Sequence, residues 1–140
     1  MKKLILPFLI LILFLQLSPA FSKSYFHPSI NQSFVLKENG DVEVEEERYF
    51  SFSGSFSWAQ LTIYLQGVED IDFSGVWSIE TGEPLSFQVE EGANNKSLKW
   101  FYQAENETRG FKIKYILRQA VKRYQDVAEF YWKVLEDEHA

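Results

Sequence analysis

From Ile30 to Leu117 apolar side chains recur at alternate positions in short runs broken by Gly, Pro, Asn and Asp, and this spacing constrains the fold more than any other feature. A period of two sends successive side chains to opposite faces of a strand, so each run reads as a strand with one buried face. Ile30, Phe34 and Leu36 open the series, and Asn39-Gly40-Asp41 is a hairpin signal. Val42, Val44, Phe50 and Phe52 follow on one face, with Glu46 and Arg48 interrupting it. Two readings account for the interruption, a β-bulge near Glu46 or an inward ion pair; the bulge is favoured because buried pairs often fail to recover their desolvation cost.

After the Ser53-Gly54-Ser55 break, Ala59, Leu61, Ile63 and Leu65 form the next inward row. Ile71, Phe73, Gly75, Trp77 and Ile79 follow, then Leu85, Phe87 and Val89 beyond the Thr81–Pro84 turn. Leu98, Trp100 and Tyr102 come after the Gly92–Asn95 turn, and Phe111, Ile113, Tyr115 and Leu117 after them. Residues 120–135 fit either a helical stripe or a strand, and the β-branched and aromatic run around Val127–Trp132 favours a strand from about Val127. The spacing thus predicts an all-β, immunoglobulin-like antiparallel β-sandwich of about eight strands.

Residues 1–22 have a different character. Lys2 and Lys3 precede an apolar run from Leu4 to Leu17, and small residues follow at Ser18, Ala20 and Ser22. The run is shorter than the ~18 residues a membrane span needs, and it reads as a secretory signal peptide cleaved after Ala20 or Ser22. Residues 23–140 then form one extracytoplasmic domain. It contains no cysteine, so its stability rests on its core in a compartment that permits disulfides. A formal charge of −6 argues against nucleic acid as a partner, since phosphate binding needs a basic surface.

Candidate chemistry is sparse. Asp41, Glu43, Glu45 and Glu47 lie on one strand face, where paired carboxylates suit sugar cleavage, but a solvated charged face is the commoner case. Glu69, Asp70 and Asp72 offer oxygen ligands for calcium without the spacing of a calcium loop. His27 and His139 stand near the chain ends, where a catalytic triad is rarely held. No phosphate-cradling glycine loop or zinc-protease motif occurs. The expectation is a non-enzyme with no cofactor or metal. Trp58, Trp77, Trp100 and Trp132 would make a sugar-stacking platform if exposed together. Only Trp58 has outward parity, so it alone is kept as a contact candidate.

Two stretches carry a family likeness. NGDVEVEEERYFSFSGSFSWA resembles the opening of a family of bacterial predicted membrane proteins catalogued as domain of unknown function 2207, and LKWFYQAENETRGFKIKYILRQAVKRYQDVAEFYWKV resembles its second block. The second block ends in a spaced Asp126, Glu129 and Trp132. The resemblance spans about Ile30 to Val134 and implies an extracytoplasmic N-terminal β domain that family members join to transmembrane helices. This chain ends at Ala140, before any such helix, either as a free secreted form or, the favoured reading, as the front of a longer membrane protein. The family brings no established catalytic residues. Arg48, Arg109, Asp126, Glu129 and Trp132 join Trp58 as candidates for a binding or framework surface. If Ala104–Thr108 is a tight hairpin turn, Arg109 reaches back to Glu105 or Glu107, and Asp126 starts the last strand and accepts backbone N–H groups in the turn before it. The expected role is partner binding or an envelope function on the outer side of the membrane, with a secreted glycan-binding module or glycosidase accessory domain as the alternative.

Overall fold

The computed structural model describes residues 22–132 and 137–139; the expected signal segment, apart from Ser22, lies outside them, as does Val134. Ten strands run in chain order: β1 (Ser24–Leu36), β2 (Val42–Ser53), β3 (Ser55–Tyr64), β4 (Asp70–Ser78), β5 (Phe87–Glu91), β6 (Asn95–Glu105), β7 (Thr108–Arg118), β8 (Val121–Arg123), β9 (Ala128–Phe130) and β10 (Asp137–His139). None of the described residues is helical. One sheet has the order β1-β2-β7-β4, a second β10-β3-β6-β5, and β8-β9 is a separate two-stranded ribbon. All pairings are antiparallel.

The protein is therefore an all-β sandwich, immunoglobulin-like in its two packed antiparallel layers but with its own strand order. β4 lies in the first sheet and β5 in the second, while β7 returns to pair with β2. The strand expected from about Val127 forms as the short β9, and the count among the described residues reaches ten because β8 and β10 are added to it.

Alternation sets the core. Val42, Val44, Phe50, Phe111, Ile113 and Leu117 from the first sheet meet Ala59, Leu61, Ile63, Leu98 and Trp100 from the second, all buried. Full burial of such a side chain contributes about 1.5–3 kcal/mol. The aromatic excess is largely consumed here. Phe50 packs on Trp100 across the sheets at 6.3 Å, Phe111 on Tyr102 at 4.7 Å, and Phe52 on Phe56 at 4.7 Å.

Several expectations are corrected. The β1–β2 and β2–β7 ladders run without a break past Glu46 and Arg48, so there is no bulge at Glu46. The inward ion pair is what forms. Glu46 and Arg48 are both buried, with Arg48 Nε donating to Glu46 Oε2 at 2.7 Å. The bulge occurs instead in β4, between Phe73 and Gly75. It reverses the parity beyond it, so Val76 and Ser78 are buried and Trp77 points outward beneath Lys114. At the end of β1, Leu36 is 52% exposed, and on the edge strand β5 Phe87 and Val89 are exposed as well. The Ala104–Thr108 turn is not a hairpin. It carries the chain from β6 in one sheet to β7 in the other.

Candidate functional site

The concave feature that gathers sequence-selected residues lies at one end of the sandwich. Its construction begins where β7 ends. Gln119 adopts φ +52° and turns the chain into β8, and the N–H of Val121 donates to Gly40 O at 3.0 Å, pinning the ribbon to the β1–β2 turn. In the ribbon Val121 faces Phe130 and Lys122 faces Glu129. Alternation sorts these pairs: Val121 and Phe130 pack on the core, Phe130 against Phe34 at 5.6 Å, while Lys122 and Glu129 line the cleft.

The opposite wall is the end of β3 and the loop after it, with Tyr64, Leu65 and Gln66, and Asn94 of the β5–β6 turn closes one side. Leu65 N donates to Asn94 O at 2.8 Å, joining those two segments. Tyr131 and Trp132 complete the cleft, whose volume is about 570 Å³. This is within the ~300–1,000 Å³ of ordinary small-ligand sites. Trp132 is half-buried against the core, with its indole N–H enclosed and without a hydrogen-bond partner among the described residues. Tyr131 is 84% exposed.

The six sequence candidates do not form one site. Glu129 and Trp132 share the cleft. Arg48 is not a surface residue at all; it lies in the core, where the Glu46 carboxylate also accepts hydrogen bonds from Gln32 Nε2 and Tyr115 Oη, each at 2.5 Å. Trp58 faces outward on the second sheet, as its parity predicts, but Lys99 Nζ sits 4.3 Å above its ring. Arg109 is at the other end of β7, where it donates to Gln103 O at 2.9 Å and approaches Glu107 at 3.5 Å and Glu80 at 3.6 Å. The expected reach to Glu107 thus forms in a corner between sheets. Asp126 is exposed at the ribbon tip, two residues before β9 begins, and its carboxylate has no hydrogen-bond partner among the described residues. The tip is closed by Tyr124 N donating to Val127 O instead. Asn94, Lys122 and Tyr131 are not singled out by sequence reasoning, because nothing local shows that three separate turns converge.

The other chemical candidates are occupied structurally. Glu45 and Glu47 pair with Lys112, Glu45 also with Lys114, and Glu43 with Lys37. Asp41 leaves that outward face and is buried, accepting from the Gln119 N–H at 3.0 Å and from Arg118 at 2.8 Å. The Gln119 N–H and then the Arg118 guanidinium hold its carboxyl below the usual range. Arg118 also binds Asp72 at 2.6 Å, and Lys96 binds Asp70 at 2.8 Å and Glu91 at 3.1 Å. Among the described residues no group of acids and histidines is arranged to hold a metal ion. His27 is better held than its position near the chain end implies, with Nδ1 3.1 Å from Tyr49 O and its ring edge-on to Phe50 at 4.2 Å.

These features define a class: an antiparallel β-sandwich with charge pairs spent on its framework and an aromatic-walled cleft at one end. The match of a family model to residues 29–140 places the chain more closely. It belongs to the family of N-terminal domains of predicted membrane proteins catalogued as domain of unknown function 2207. No curated protein and no solved structure matches it.

Proposed function

We propose that the chain is the extracytoplasmic binding domain of a bacterial membrane-associated protein and acts by recognising an envelope partner or ligand, without catalysis of its own. Membership in a family of N-terminal domains of predicted membrane proteins carries this reading. The lysine-led apolar run at residues 2–17 supports export. The pairing of the carboxylates of the acidic strand with lysines supports a framework role for them rather than acid–base chemistry. The cleft at the ribbon end supplies the recognition surface.

The test is a fusion of alkaline phosphatase after Ala140. An active enzyme is expected in cells, because phosphatase folds only after export; an inactive phosphatase, with an active cytoplasmic reporter fused at the same point, overturns the placement. A hydrolase activity abolished by a single change at Glu43, Glu45 or Glu47 would overturn the non-enzymatic part.

A further inference from the structure

We infer that the cleft between the β3–β4 loop and the β8–β9 ribbon is a saccharide site. The inference rests on the binding-domain reading above and adds the chemistry of the ligand.

Two observations converge. First, Tyr64, Tyr131 and Trp132 all line the cleft, and Tyr131 is 84% exposed. Aromatic faces packed against the C–H faces of pyranose rings are removed from water while their polar edges stay available for hydrogen bonding. Second, Lys122 and Glu129 are direct cross-strand partners that both line the cleft, yet neither makes an ion pair or hydrogen bond within the described residues. Several acids and bases of the sandwich are by contrast tied to one another: Asp41 and Asp72 to Arg118, Asp70 to Lys96, Glu45 to Lys112. A ligand rich in hydroxyl groups provides both donors and acceptors for such a set, and a purely apolar ligand would strand them. A peptide is less suited, because extended peptides use an open strand edge or an apolar groove, and the cleft is walled by turns and ring faces.

The experiment titrates the purified chain with chitotetraose, cellotetraose, xylotetraose and the disaccharide of N-acetylglucosamine and N-acetylmuramic acid, following tryptophan fluorescence and heat. Saturable binding of at least one is expected. Tyr131→Ala should weaken it about tenfold or more, the effect of losing a central aromatic contact. Lys122→Ala should weaken it in the same direction, and Trp58→Ala, on the outer sheet face, should leave it unchanged. Tyr131 is so exposed that its truncation leaves the fold intact, which circular dichroism verifies. Absence of saturable binding to all four sugars overturns the saccharide assignment, as does binding only of a free peptidoglycan stem peptide. Unchanged affinity in a folded Tyr131→Ala chain overturns the cleft as its location. The phosphatase fusion reports export independently, so a negative titration with an active fusion removes the ligand class and leaves the domain's placement standing.

Discussion

At the scale of single residues, the Glu46–Arg48 pair has the largest consequences. Glu46 lies within a ring of donors from Arg48, Gln32 and Tyr115 on a face that is otherwise apolar. Two buried charges are tolerated only when such hydrogen bonds replace water. Glu46→Ala leaves Arg48 charged in the core and should cost about 3–5 kcal/mol, read from the shift of the urea midpoint. Glu46→Leu combined with Arg48→Met should cost less than Glu46→Ala alone, since it removes both desolvated charges. A double variant as unstable as the sum of the singles would show that the pair contributes more than compensation. Asp41 gives a pH signature. Its pKa is lowered in the folded protein from 3.8 by the Gln119 N–H and Arg118, so its stabilisation is present above that value and is lost as pH falls through the folded pKa. Asp41→Asn should therefore flatten the acid limb of stability below about pH 4 while lowering stability near neutrality. Lys96 works in the opposite sense. Raised from 10.5 by Asp70 against the cost of burial, with Glu91 assisting, it contributes fully below that value and loses its contribution as pH rises through the folded pKa.

At the scale of elements, bulges decide which side chains face the core. The β4 bulge between Phe73 and Gly75 turns Trp77 outward and brings Val76 inward. The irregularity in β3 between Phe56 and Trp58 lets Phe56 and Ala59 both be buried while Trp58 faces solvent. Gly75 is required at its site, since a Cβ there would lie 2.8 Å from Trp77 Cη2. Gly75→Ala should destabilise the domain by about 1–3 kcal/mol through displacement of that ring, measured by thermal unfolding. A neutral effect would mean that the indole moves freely. A period-two pattern reveals strands but not single extra residues. The glycine at position 75 was a local signal for the β4 bulge, whereas Glu46 looked like one and was not.

At the scale of the whole molecule, stability is unevenly distributed. β2, β3, β6 and β7 each have a hydrogen-bonded neighbour on both sides for at least part of their length, whereas among the described residues β8 and β9 pair only with each other. Hydrogen exchange should then show the amides of the ribbon opening well before those of β2 and β7, because local opening exposes few buried contacts there. Equal protection of ribbon and core would contradict this. The same looseness suits a binding wall, since a ligand in the cleft would be held against the rigid end of β3.

The amino-acid sequence by itself determined the all-β class, the strands from β1 to β7 and most of their inward rows, because alternation and turn chemistry are local and each row must find an apolar surface. It also carried the likeness that the family match bears out. The tertiary structure decided what depends on distant segments meeting: the pairing of β7 with β2, the choice of an ion pair over a bulge at Glu46, and the dispersal of the four tryptophans. Residues 64, 94, 122, 129, 131 and 132 come together at the cleft only because the two sheets and the ribbon fold onto one another. No spacing along the chain encodes that meeting; long-range packing creates it.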